Sequence, residues 1–388
     1  MIKGSTRRRK SVIASGVALV LMASACTQSR SPRAASSLSP GPSPSPAPEG
    51  VDAAKPQSGS SGVYSFTAPG DLSPAVAGVP ERVYVPNSES NTVDVIDPAT
   101  YSIIDHFPVG LLPQHVTPAW DLKTLYVDND MGNSLTPIDP KSGKPGRPIP
   151  VEDPYNLYFS QDGSKAIVVA ERLQRLDFRD PHTWRLIKSV SVPYAGVDHA
   201  DFTADGKQML LSCEFSATVV RVDVDSMEVT GNVKVGGSPV DVKLSPDATV
   251  FYVANYQRNG VSVIDAESMK ELEFIPTGKG AHGLYPSRDA TQLYVSNRLQ
   301  GTVSVIDFST RKVVATWDLG KGESPDMGGV STDGTRLWLS GRYSKAVYVI
   351  DTETGRLVKK IAVGRGPHGL SFFPQPGQFS LGHTGVFR

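Results

Sequence analysis

Ser262-Val263-Ile264-Asp265 and Ser304-Val305-Ile306-Asp307 are two copies of a phrase that returns along the whole chain. Its aspartate recurs at Asp97, Asp139, Asp177, Asp223, Asp265, Asp307 and Asp351, at intervals of 42, 38, 46, 42, 42 and 44 residues. A period near 42 residues with strand chemistry in every unit is the mark of four-stranded blades set radially around an axis. The expected fold is all-β, a seven-bladed β-propeller with N- and C-terminal strands closing one blade.

Each unit reads alike. An apolar segment ends in a turn such as Asp162-Gly163, Asp205-Gly206 or Asp333-Gly334, where glycine accepts positive φ without steric cost. A second strand follows, as in Leu293-Tyr294-Val295-Ser296-Asn297, then the quoted phrase as third strand. A fourth, such as Val313-Val314-Ala315-Thr316-Trp317, closes the unit. β-Branched residues in alternation suit half-buried pleated strands. Second strands are expected near Val83, Leu125, Ala166, Met209, Phe251, Leu293 and Leu337. First strands are expected near His115, Asn156, His199, Asp241, Gly283, Met327 and Gly369. The two series close only if the segment from Gly369 to Phe373 completes the blade opened at Val83, with Ser73 to Gly78 as a competitor for that place. A ring closed this way leaves no free sheet edge.

The ends of the chain read differently. Lys3, Arg7, Arg8, Arg9 and Lys10 form a positive head before the apolar run Val12 to Ala25. That run is too short to span roughly 30 Å of hydrocarbon and reads as a secretory signal. It ends in Met22-Ala23-Ser24-Ala25-Cys26, which resembles the lipobox of bacterial lipoproteins. The resemblance implies that Cys26 receives lipid and becomes the mature N-terminus, anchoring an exported protein to the cell membrane. Ordinary signal cleavage beside an incidental cysteine is the competing reading. Residues 27–62 are rich in Ser, Pro, Ala and Gly and lack the apolar surface that would offset ordering. At ~3.1 Å per residue such a spacer reaches up to ~110 Å. The domain plan is therefore a signal over 1–26, a tether over 27–62 and a propeller over 63–388.

With Cys26 lipidated, Cys213 is left alone in an apolar strand, so no internal disulfide is expected. Lysine plus arginine and aspartate plus glutamate each number 39, and no basic field points to nucleic acid.

Tyr84-Val85-Pro86-Asn87, Tyr126-Val127-Asp128-Asn129, Tyr252-Val253-Ala254-Asn255 and Tyr294-Val295-Ser296-Asn297 resemble the tetrapeptide of the YVTN family of β-propeller repeat proteins, which includes YncE-like chains. The resemblance covers nearly all of residues 75–377. Residues 156–193 depart from it most, with Ile167-Val168-Val169-Ala170 in place of the tetrapeptide. It implies relatives that include surface-layer and periplasmic proteins without catalysis. It also implies kinship with lactonase propellers and with those carrying the copper of nitrous oxide reductase or haem d1. The family leaves function open.

Chemistry is expected where the innermost strands open onto the central channel. His115, His199, His282 and His368 fall there, with Asp198, Asp326, Asp241, Met327 and Asn156 at the same or an adjacent position. Residues from distant blades converge on one funnel, as a ligand or a transition-metal ion requires. Polar residues lining a wet channel are the other reading. His282 and His368 stand one position earlier than His115 and His199, so a different facing is expected for them. Loops after the second strands offer Arg298, Arg342 and Tyr256 as rim anchors, along with Glu171, Arg172, Glu214, Arg258 and Tyr343. His106 and His182 read as structural, and His383 lies in a C-terminal tail that the repeat does not place.

Three functions compete. The first is a membrane-tethered, non-catalytic envelope propeller binding a protein or glycan partner through its channel-mouth face. The second is a lactonase-like hydrolase: Pro113-Gln114-His115 and Val197-Asp198-His199 are similar to that family's Pro-Arg-His turn but lack the arginine. The third is a metal or redox propeller. No Cys-x-x-Cys-His occurs, which excludes attached c-type haem.

Overall fold

A computed structural model describes residues 62–383 and 385–388. The expected signal over 1–26, Cys26 and the spacer as far as residue 61 lie outside the described residues. What is described is all-β, with two short 3-10 turns, Pro74–Val76 and Glu214–Ser216. Seven sheets carry the fold, six of four strands and one whose outer strand is split in two.

Blades 2 to 7 take their inner strands in chain order from Pro113–Pro118, Asn156–Phe159, Val197–Phe202, Pro239–Leu244, Ala281–Pro286 and Pro325–Val330. Blade 1 is made from both ends of the chain. Arg82–Asn87 pairs on one side with Thr92–Asp97 and on the other with Ser371–Phe373, in the register Arg82↔Phe373, Val83↔Phe372 and Tyr84↔Ser371. The competitor segment instead forms the Pro74–Val76 turn, whose Val76 packs into the cluster beside Phe107 and Phe373.

Position in the blade sets composition. Middle strands are covered on both faces by neighbouring blades and bury nearly every residue, all six in Val250–Asn255. Outer strands face water on one side and alternate, as Lys312–Asp318 does. The inner strands present an open edge, whose amide groups need partners. Side chains from the preceding blade supply them. Tyr158 Oη accepts from the amide of Ala200 (2.7 Å), Asp201 Oδ2 from Leu244 (2.8 Å), Asp241 Oδ2 from Leu284 (2.8 Å) and Tyr285 Oη from Gly328 (2.6 Å). These bonds fasten blades 3 to 7 to one another at the axis.

The repeat phrase is misplaced in one blade. At the end of a third strand, Asp97 caps a turn by accepting from the amide of Ala99 and the hydroxyl of Thr100. In blade 3 that work is done by Asp180, which accepts from the amides of His182 and Thr183. Asp177 lies inside the strand Arg175–Arg179, fully buried between the guanidinium groups of Arg175 and Arg179. Leu176-Asp177 imitates the phrase three residues early. With Asp180 in its place the two neighbouring intervals even out to 41 and 43 residues (180 − 139 and 223 − 180).

After Phe373 the chain turns back under the ring. Ser380 donates from its amide to Trp120 O and from Oγ to Pro118 O. Gly382 pairs antiparallel with Tyr158, and the chain returns so that Leu381 bonds the carbonyl of Val386 (2.8 Å). Leu381, Val386 and Phe387 are buried, so this hairpin is part of the core. Cys213 is fully buried, and burial, helped by Asp198, pushes its thiol up to about 12, as befits a small core hydrophobe.

Candidate metal centre

Ladder registers at the start of the inner strands decide which side chains reach the axis. Pro113 pairs with Asn129 but Val116 with Val127, so Gln114 and His115 together oppose the single residue Asp128. The same one-residue bulge falls between Val197 and Ala200, Pro239 and Val242, Ala281 and Leu284, and Pro325 and Gly328. A bulge bends the strand and redirects a side chain, so two consecutive residues can approach the channel. His282 and His368, one position earlier on their strands, come to the same axis but fall in a group of their own with Asp326. The His282 and His368 rings lie 6.1 Å apart, and His368 lies 4.9 Å from His115.

Two clusters result. In the first, His115, His199 and His383 each bring one ligand-capable nitrogen to within 4.8 Å of the others. Ring centroids are 5.2 Å apart for His115 and His199, 5.0 Å for His115 and His383, and 4.7 Å for His199 and His383. All three are 0% exposed. Both ring nitrogens of His115 and Nε2 of His199 are buried without a hydrogen bond. Asp198 Oδ1 lies 2.6 Å from His199 Nδ1, a buried ion-pair contact on that side of the ring. His383 Nδ1 lies 3.2 Å from Asn156 Nδ2. Buried imidazole nitrogens left bare are costly and call for a partner.

Burial also sets the charge of these rings. It drives His115 and His383 well below the ordinary histidine value, reinforced by the charge of neighbouring histidines. For His199 burial acts the same way, but the Asp198 carboxylate outweighs it and the net direction is upward. His115 and His383 are thereby held as neutral imidazoles, the form a metal ion takes as a ligand, and His199 would give up its proton on binding, with Asp198 left behind its other nitrogen. His115 also leans on the chain's closing segment. A Cβ on Gly369 would stand 2.0 Å from His115 Nδ1, so the ring occupies space that only glycine leaves.

The second cluster is His282, Asp326 and His368. Asp326 Oδ1 lies 3.1 Å from His282 Nδ1, and Oδ2 lies 3.7 Å from His368 Nε2. Here a cation is already built in. Arg298 donates through Nε to Asp326 Oδ1 at 2.8 Å, and its Nη2 contacts both Asp326 and His282 Nε2. The guanidinium neutralises the carboxylate and occupies one imidazole lone pair. This group supports the first cluster and is a poor cage for an ion.

The rim residues separate accordingly. Arg298, expected at an exposed rim, points inward and is 12% exposed at its side chain. Tyr256 lies under it, 5.5 Å from ring centroid to guanidinium. Arg342 stays at the mouth, half-buried, with Ser88 Oγ at 3.4 Å from its Nη1. Sequence reasoning missed His383 as a member and Tyr155 as a neighbour, whose ring packs edge-on against His115 and His199. The signal for His383 was its place between Gly382 and Gly385, which lets a tail turn tightly at its tip.

Glu171 and Glu214 stand half-buried in adjacent blades beside Asp198. Burial first, and then the neighbouring carboxylates, push Glu171 up to about 8; burial and Asp198 push Glu214 up to about 7. A carboxyl whose folded value lies above its unfolded 4.5 favours folding while protonated and loses that advantage as pH rises through the folded value. Stability is expected to fall between pH 4.5 and 8, and Glu171→Gln to recover about 1–2 kcal/mol at the alkaline end. Thermal melts of both proteins at acid and alkaline pH check this; identical melts at the alkaline end contradict it.

The profile of the YNCE-like beta-propeller family matches residues 60–375. No curated protein matches significantly. Among solved structures, hydrazine synthase of Kuenenia stuttgartiensis superposes with a TM-score of 0.61 at 19% identity, over 70% of this chain and 92% of that one. Dihydro-heme d1 dehydrogenase NirN in complex with DHE gives 0.61 at 17%, over 79% and 77%. A functionally unknown protein from Desulfotomaculum acetoxidans DSM 771 gives 0.64 at 17%, over 75% and 98%. At these identities the likeness is one of fold.

Proposed function

The chain belongs to the YNCE-like beta-propeller family, and from that premise we propose that it is an exported, membrane-tethered propeller whose working part is a transition-metal centre on the axis. The observation that carries this reading is the convergence of His115, His199 and His383 as fully buried rings, with both nitrogens of His115 and Nε2 of His199 unbonded. Three imidazoles without a thiolate suit zinc or copper, and copper(II) heads the affinity order for such nitrogen sites. Metal analysis of protein purified without chelators is the test. About one zinc or copper per chain is expected, and less than about 0.1 per chain rejects the proposal.

A second reading, partner binding at the mouth face, is favoured by a separate observation. Loops after the second strands share the face on which the inner strands begin, since Pro113 pairs with Asn129 and Ala281 with Asn297. Five of those loops carry a large apolar or aromatic side chain between 42 and 69% exposed: Met131, Leu173, Phe215, Leu299 and Tyr343. An apolar ring of this kind around a polar mouth is the character of a docking surface for an envelope protein or glycan. The double variant Phe215→Ser, Leu299→Ser is expected to lose most of what the wild type retains from envelope extracts; equal retention removes this reading. The lactonase-like alternative has no comparable support, because Arg298 is committed to Asp326.

A further inference from the structure

We infer that the C-terminal hairpin is a ligand-bearing plug that carries one of the three metal-binding imidazoles into the channel from the face opposite the mouth, so that metal binding and plug docking stabilise each other. The inference rests on the metal reading above and deepens it.

The path of the tail shows the direction of insertion. Ser380 sits at the far end of the blade 2 inner strand, bonded to the carbonyls of Pro118 and Trp120. From there the tail climbs along blade 3: Leu381 O accepts from the amide of Phe159 (2.9 Å), and the amide of His383 donates to Leu157 O (2.8 Å). His383, at φ 49°, turns the chain back. On the return, Arg388 Nη2 bonds Asp201 Oδ1 at 2.6 Å. The His383 ring is thereby brought level with His115 and His199, stacked on Tyr158 at 6.1 Å.

The ring of blades does not complete the site alone. At the position that holds His115 and His199, the other blades carry Asn156, Asp241, Gly283, Met327 and Gly369. A third imidazole for this cluster comes from the tail. Its height is pinned by Gly382, whose φ of 101° and whose missing Cβ, which would stand 2.3 Å from Leu157 O, admit only glycine. An ion held by groups on two separately docked pieces of chain binds the docked form alone. Docking and binding therefore share one coupling free energy, equal in both directions.

The test uses the full-length chain and zinc(II) alone. Zinc is expected to slow hydrogen exchange of the tail amides, Leu381, His383 and Arg388 among them, by about tenfold or more in the wild type. His383→Ala is expected to weaken zinc binding by at least about 10–100-fold and to abolish that protection. Gly382→Ala keeps the imidazole but unseats the plug, and should weaken zinc comparably. Tail exchange indifferent to bound zinc overturns the plug and leaves the metal reading standing; wild-type affinity in His383→Ala overturns the plug and removes His383 from the centre. A wild type that takes up no zinc or copper overturns both.

Discussion

A chain ending at Gly366 does not hold the ring: it is expected to lose cooperative unfolding and to expose apolar surface at room temperature. The missing segment supplies the inner strand of blade 1, Ser371–Phe373, and with it the second edge of Arg82–Asn87. Leu370, Phe372 and Phe373 are at most 1% exposed and bridge the clusters on either side of the closure. Burying three such side chains is worth about 1.5–3 kcal/mol each. The tail adds Leu381, Val386 and Phe387, all buried. Their sum rivals the whole 5–15 kcal/mol of a typical folded protein, as an upper estimate. The opened edge of Arg82–Asn87 would also be free to pair with other chains. Urea unfolding followed by circular dichroism is the measurement. A truncated chain with the wild-type midpoint and slope would show that the closure contributes little.

The second large effect is at the axis. His115→Ala is expected to lower zinc or copper affinity by at least two orders of magnitude, more than the ~10–100-fold that loss of an outer partner costs. At a free metal concentration about 100 times the wild-type Kd, the ion stabilises the wild type by about 2.7 kcal/mol, and that increment should fall to about 0.4 kcal/mol or less in the variant. The metal-free stability of His115→Ala should hold or rise, because two unbonded buried nitrogens leave with the ring. Gly369→Ala makes an independent check: its Cβ evicts the His115 ring while leaving every imidazole in the sequence. Calorimetric titration and metal-dependent melting read both variants. Wild-type affinity in His115→Ala would exclude the three-histidine centre.

Much of the architecture was legible because each blade repeats its local chemistry. The Asx-capped turn, the buried second strand and the alternating outer strand are decided within about 42 residues, so the period survives in the sequence. Where it blurred, at Leu176-Asp177, a buried ion-pair partner copied the form of a turn cap. The strand end is fixed by which aspartate the amides of His182 and Thr183 can reach, and that is Asp180. The site was half legible. Four histidines near the inner-strand starts could be found by counting along the repeat. His383 could not, since its place depends on a tail threading under the ring and pairing with Tyr158, a contact across more than 200 residues. Arg298 looked like a surface anchor because nothing local reveals that Asp326, one blade further round, waits for it.

One extra residue at the head of each bulged inner strand has a consequence for how such rings change their chemistry. A bulged blade can turn two neighbouring positions toward the axis where a regular ladder would offer one. The blades carry His, Gly, Asp or Met at these positions on the same bulged frame. The backbone thereby works as a socket plate that seats a different side chain in each socket.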